Sequence, residues 1–141
     1  RDAVRTTWAS PNAIADTKVK CIFLLGLTDN DTVQQHILEE DQKYHDILQV
    51  NFKDDYFNLT LKTWSALQWK YRYCNSVPWM VKADDDIFIQ PWLLSQHLKS
   101  RKDSDLVCRI MKNASVCRTN TSCNYQKWAV SYNMYPNNKY P

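Results

Sequence analysis

Val19-Lys20-Cys21-Ile22-Phe23-Leu24-Leu25-Gly26 is an almost unbroken apolar run, closed by the one glycine of the chain. Such a run has no polar side to turn toward water. It predicts a strand buried on both faces, the habit of parallel sheets. Parallel neighbours cannot be joined by a tight hairpin and need a crossover, usually a helix. The following residues read that way. Val33 to Tyr44 has helical spacing, with Val33, Ile37 and Leu38 on one side, and Thr32 is placed to cap it. Asp46 to Phe52 reads as a second strand, with Leu48, Val50 and Phe52 alternating against polar neighbours.

Asn58 opens the clearest helical pattern, with Leu61, Trp64, Leu67, Tyr71 and Cys74 inward and Lys62, Ser65, Gln68 and Arg72 outward. Asn58 is itself a good N-cap residue type. Trp79 to Val81 and Ile87 to Ile89 are strand-type runs, and Pro91 suits the first turn of a helix reaching about Lys99. Asp105 to Met111 and Trp128 to Ser131 are further strand candidates, separated by a polar surface excursion, Lys112 to Gln126. Strand and helix alternate, which predicts an α/β fold with a mostly parallel sheet flanked by helices. Ligands of such sheets gather at the carboxyl ends of the strands.

Asp84, Asp85 and Asp86 stand at such an end, directly after Trp79-Met80-Val81-Lys82-Ala83. Sheets exclude aspartate, and three adjacent carboxylates repel one another unless water, protons or a cation neutralises them. Mg²⁺ and Mn²⁺ accept one or two carboxylates and take their other ligands from phosphate and water. In extended backbone Asp84 and Asp86 share a side and Asp85 takes the other, so one pair faces a ligand. Lys82 is either a further positive charge there or a surface lysine. The plain alternative for the cluster is a solvated turn. His36, His45 and His97 show no ligand spacing and read as ordinary histidines.

Several functions are excluded by composition. With Gly26 alone there is no glycine-rich phosphate loop, which disfavours P-loop NTPases, protein kinases and dinucleotide-binding domains. A net charge of +3 without a basic block leaves no footprint for nucleic acid. Hydrophobic residues at 44% and aromatic residues at 13% argue against disorder. The five cysteines, Cys21, Cys74, Cys108, Cys117 and Cys123, include no C-x-x-C pair, so zinc is a poor reading. Acceptor tripeptides for N-glycosylation start at Asn30, Asn58, Asn113 and Asn120. With the cysteines, these favour the secretory lumen. Cys117 and Cys123 are spaced to close the polar excursion. The chain begins at Arg1 and ends at Tyr140-Pro141 without a membrane-spanning stretch, and reads as an excerpt from a longer protein.

Arg5-Thr6-Thr7-Trp8, Phe23-Leu24-Leu25-Gly26, Glu40 with Tyr44 to Leu48, Asn51-Phe52, Asp54 to Thr63, Lys82 to Ile89 and Lys127-Trp128 occur in order. With Tyr135-Pro136 and Tyr140-Pro141, this ordered set resembles the β1,3-galactosyltransferase family. That family includes β1,3-N-acetylglucosaminyltransferases and is related to Fringe proteins. The resemblance covers nearly the whole chain. It implies a GT-A-like (Rossmann-type) fold, incomplete at the C-terminus, with residues 1–141 forming the N-terminal, donor-binding portion of one catalytic domain.

The resemblance further implies an inverting transfer of Gal or GlcNAc, from UDP-Gal or UDP-GlcNAc, to a 3-hydroxyl of an acceptor glycan on a glycoprotein or glycolipid. Mn²⁺ is implied at Asp84 and Asp86, with Asp86 the direct ligand, and donor binding at Arg5, Asp84, Asp85 and Asp86. Arg5 matches an early family arginine expected near the nucleotide. Asp46 and Asp54-Asp55 match motif positions read here as sheet-end or turn structure. The implied setting is the lumenal side of the Golgi membrane, through an upstream anchor outside this chain. The family's acidic general base is expected beyond Pro141. An inverting transfer needs that base to take the acceptor proton. A non-catalytic or truncated lumenal glycoprotein module of the same fold is the alternative. A metal-binding adhesion module is a distant third, disfavoured by the α/β alternation.

Overall fold

The structure, a computed structural model, describes residues 1–17, 19–101, 106–118 and 126–141. The chain divides into two compact units, residues 1–102 and 103–141. In the first, the element order is α1 (Asp2–Thr6), α2 (Pro11–Ile14), β1 (Phe23–Leu27), α3 (Asp31–Tyr44), β2 (Ile47–Lys53), α4 (Leu59–Tyr73) and α5 (Pro91–Lys99), with a 3₁₀ turn at Tyr56–Asn58.

β1 and β2 pair in parallel, Phe23 opposite Ile47 and Leu25 opposite Gln49, with α3 as their crossover. The register breaks between Leu25 and Leu27. Gly26 lies in that break because nothing larger fits: a Cβ there would lie 2.6 Å from the Phe52 carbonyl oxygen and 2.8 Å from the Asp54 nitrogen. Both are backbone atoms, so no side chain can swing aside. Gln49 Nε2 donates to the Gly26 carbonyl at 2.9 Å and to Gln34 Oε1 at 2.9 Å, tying α3 to both strands.

α3 starts one residue before the expected cap. Asn30, not Thr32, is the N-cap, its side-chain oxygen accepting from Val33 N. The helix stops at His45, which takes the left-handed conformation (φ 52°) and returns its N–H to the Asp41 carbonyl. Ile37 is the buried residue of its apolar side, whereas Val33 and Leu38 are exposed. Asn58 does not cap α4 with its side chain; Nδ2 instead donates to the Lys53 carbonyl at 2.9 Å. Asp55 caps the preceding 3₁₀ turn through Phe57 N.

Two expectations are corrected. Among the described residues the sheet has two strands, and Trp79–Val81, Ile87–Ile89, 106–111 and 128–131 belong to none. The fold is thus mixed α/β with a small parallel sheet, coarser than the GT-A-like sheet expected. A helix satisfies its backbone from within, whereas a strand needs a neighbour's donors and acceptors. These runs pair with neither β1 nor β2. The second correction concerns α4. Leu61, Trp64, Leu67 and Tyr71, expected in the core, are exposed, while Lys62, Ser65 and Gln68 are half-buried. Lys62 explains the rotation: its Nζ reaches both oxygens of Asp54, at 2.7 and 3.0 Å, at the end of β2.

In the second unit Val116 and Arg118 are buried, so the polar excursion is not all surface. Arg118 donates to the carbonyls of Val130, Tyr135 and Asn137 at 2.7, 2.9 and 2.6 Å and lies over the Tyr132 ring. Backbone bonds from Val116 N to Asn138 O and from Tyr140 N to Ala114 O close the unit. Cys117 is disulfide-bonded, and Cys21, Cys74 and Cys108 are free. Cys123, Asp105 and the tripeptide at Asn120 lie outside the described residues.

Candidate active site

The backbone that follows the aspartate triad is held at two points, Ile87 and Gln90. Upstream in sequence, Trp8, just after α1, donates its indole N–H to the Ile87 carbonyl at 3.1 Å. Downstream, Gln90 Oε1 accepts from Trp92 N and Leu93 N at 2.8 and 3.3 Å, capping α5 ahead of the buried Pro91. Neither anchor was read from the sequence. Gln90 directly before a helix-opening proline was the available signal, but glutamine is outside the usual capping set. Ahead of both anchored points Asp84, Asp85 and Asp86 are all exposed, with Asp85–Asp86 in a turn. The expected buried strands on either side are absent. Met80, Val81, Ile87 and Phe88 face water.

Next to the triad in sequence lies an open cleft of about 270 Å³ lined by Thr7, Trp8, Ala13, Phe88, Gln90, Pro91 and Trp92. Trp8, Phe88 and Trp92 supply aromatic walls, and Thr7 and Gln90 supply polar groups. That composition suits a flat, partly apolar ligand group.

The donor set of the triad fits a hard cation that completes its shell with ligand phosphate and water. Asp84 and Asp86 would hold it. Asp84 is paired with Lys82, Nζ to Oδ1 at 3.1 Å, with both groups solvated. Water screens such a pair, so a divalent ion would displace the lysine at small cost. Among the described residues no three His, Cys, Asp or Glu side chains converge to cage an ion without the ligand's help.

Arg5 is occupied elsewhere. Its guanidinium forks onto Asp46, Nε to Oδ2 at 2.8 Å and Nη2 to Oδ1 at 2.7 Å, while Nη1 reaches Glu40 at 2.6 Å and Asp2 at 2.9 Å. It also lies over the Phe23 and Tyr44 rings, 4.7 and 4.0 Å from their centres. The hydrogen bond to Asp46, outweighing burial, raises its pKa further. No hydrogen bond or ion pair joins it to Asp84, Asp85 or Asp86 among the described residues. Asp46 is thereby a sheet-end residue that ties β2 to α1, as its motif position suggested. Asp54 is another, accepting from Gly26 N at 2.8 Å. Burial pushes the Asp54 carboxyl up, but the bonds from Lys62 and Gly26 outweigh it and hold the group below its ordinary value. His36, His45 and His97 are exposed.

A family profile described as Galactosyltransferase matches residues 1–141, the whole chain. The chain belongs to the galactosyltransferase family. It is 33% identical over 147 residues to human Beta-1,3-galactosyltransferase 2, covering 100% of this chain and 34% of that protein. Human Beta-1,3-galactosyltransferase 5 is 33% identical over 143 residues, with 100% of this chain and 45% of that protein covered. Lactosylceramide 1,3-N-acetyl-beta-D-glucosaminyltransferase A of Xenopus laevis is 32% identical over 151 residues, with 100% and 39% covered. This galactosyltransferase-family chain thus spans between a third and a half of the length of these curated relatives. No helix among the described residues is long and apolar enough to cross a membrane.

Proposed function

We propose that residues 1–141 are the donor-binding part of an inverting β1,3-glycosyltransferase. It moves Gal or GlcNAc from UDP-Gal or UDP-GlcNAc to a 3-hydroxyl of an acceptor glycan carried by a glycoprotein or glycolipid. One observation carries the reading: in a galactosyltransferase-family chain, an exposed acidic turn directly precedes, in sequence, residues that line a cleft with Trp8, Phe88 and Trp92 on its walls. Asp86 and Asp84 would hold Mn²⁺, and Asp85 would serve the turn or an outer contact. Bound there, Mn²⁺ supplies the Lewis acidity that stabilises charge on the departing diphosphate. Lys82, paired with Asp84, would add positive charge at the same place. The cleft takes the nucleoside end of the donor against Trp8, Phe88 and Trp92.

Arg5 is a positioning residue in this scheme. Its charge is spent on Asp46 and Glu40, and it fixes α1, from whose end Trp8 reaches the Ile87 carbonyl. The base that takes the acceptor proton belongs to protein outside residues 1–141. The protein works on the lumenal side of the Golgi membrane, tethered by an upstream anchor; the acceptor tripeptides at Asn30, Asn58, Asn113 and Asn120 support a lumenal setting.

The test is transfer by the full-length protein in Mn²⁺. Replacing Asp86→Ala should lower transfer by more than the roughly 10–100-fold that losing an outer-shell partner costs. Activity within tenfold of wild type would overturn the site. The second reading is a non-catalytic lumenal module of the same fold. UDP titration of the full-length protein separates the two, since only the enzyme reading requires Mn²⁺ to tighten UDP.

A further inference from the structure

Asn30 begins the acceptor tripeptide Asn30-Asp31-Thr32, and it is also the N-cap of the 14-residue helix α3. Its Oδ1 accepts from Val33 N at 3.0 Å, and its own N–H donates to Thr28 Oγ1 at 3.2 Å. The two heteroatoms of a planar amide point away from each other. With the oxygen committed to the first turn of α3, the nitrogen is directed off the helix. Nδ2 makes no hydrogen bond among the described residues, and Asn30, Asp31 and Thr32 are all exposed. Asn58 differs: it is half-buried, and its Nδ2 donates to the Lys53 carbonyl. Asn113 is exposed in a left-handed turn and caps no helix.

We propose that Asn30 is a glycosylation site whose two amide atoms divide the work, the oxygen capping α3 and the nitrogen carrying the glycan. The proposal rests on the lumenal placement above. The donor is an oligosaccharide on a lipid diphosphate, transferred by the host's lumenal machinery. A bond forms between Nδ2 and the anomeric carbon, and the bond from that carbon to the diphosphate oxygen breaks. The diphosphate leaves with the electron pair, and one amide proton passes to base. Substitution on Nδ2 leaves the amide neutral and its carbonyl oxygen unchanged as an acceptor, so the cap survives.

The experiment uses the full-length protein made in a secretory eukaryotic host. Glycans are released enzymatically in ¹⁸O-water, which converts each occupied Asn to a labelled Asp that peptide mass spectrometry reads. The label is expected at Asn30 in most molecules, and Thr32→Ala or Asn30→Asp should each remove one glycan from the intact mass. Labelling at Asn58 or Asn113 with none at Asn30 overturns this proposal while supporting the lumenal reading. No label at any of the sequons overturns the lumenal reading itself, and this proposal with it. The cap is read separately by comparing Asn30→Asp with Asn30→Ala, both free of glycan there. The alanine variant should melt several degrees lower. Equal melting temperatures overturn the dual role.

Discussion

Glu40 lies between two arginines, and its titration follows from that. The hydrogen bond from Arg1 is the main cause, opposed by burial and reinforced by Arg5, and the carboxyl is brought down to about 2. In the unfolded chain a glutamate titrates near about 4.3. A group depressed on folding contributes stability that is fully present above its unfolded value and is lost as pH falls through its folded value. Asp54 is shifted in the same direction. Urea midpoints should therefore be flat above about pH 5 and fall between roughly pH 4.5 and 2. Glu40→Gln should lower the plateau and flatten part of that fall; an unchanged pH slope would remove Glu40 as a cause. The solvated pairs Lys53–Asp29 and Lys82–Asp84 add little by comparison. The identity of Arg5, Asp46 and Asp54 as special residues was legible in their motifs. Their partners were not, because Arg5 and Asp46 are 41 positions apart and local spacing carries no record of such a pair.

At the scale of elements, α3, α4 and α5 begin and end within about two residues of where periodicity places them. Helices are legible because each satisfies its own backbone and carries its caps in adjacent sequence. Strands are decided by neighbours. β1 and β2 form because α3 brings them side by side, whereas Trp79–Val81 and Ile87–Ile89, though strand-like in composition, pair with neither of them. Orientation is harder still. The α4 stripe was legible as apolar but not as outward, since Lys62 and Asp54 fix the rotation; Trp64 is 58% and Tyr71 73% exposed. A core stripe and an exposed stripe make different predictions for a recombinant chain of residues 1–141. Core positions cost about 2–5 kcal/mol each on truncation to a small residue. Exposed ones change stability by about 0.5 kcal/mol or less. Trp64→Ala and Leu67→Ala should fall in the second range in urea melts and should reduce binding of a hydrophobic dye. Losses above about 2 kcal/mol would return the stripe to the core.

For the whole molecule, the question is how much of the reaction residues 1–141 can perform. They contain the proposed metal ligands Asp84 and Asp86 and the cleft beside them, yet no group in the chain is assigned the acceptor's proton. The triad is exposed, and with no carboxylate cage among the described residues Mn²⁺ and UDP would have to assemble on it together. Each then immobilises the other, and association costs several kcal/mol before any gain appears. Residues 1–141 alone should therefore bind UDP only in Mn²⁺, no tighter than about 100 μM or roughly 5.5 kcal/mol. Asp86→Ala should abolish that binding in calorimetry. They should transfer no sugar to any acceptor, because positioning a donor does not remove the hydroxyl proton an inverting displacement must lose. Measurable transfer by this chain would mean that one of its own carboxylates is the base, and would relocate the catalytic centre into residues 1–141. Binding of UDP equally well in chelator would instead leave the cleft as the whole of the site and remove the metal from Asp84 and Asp86.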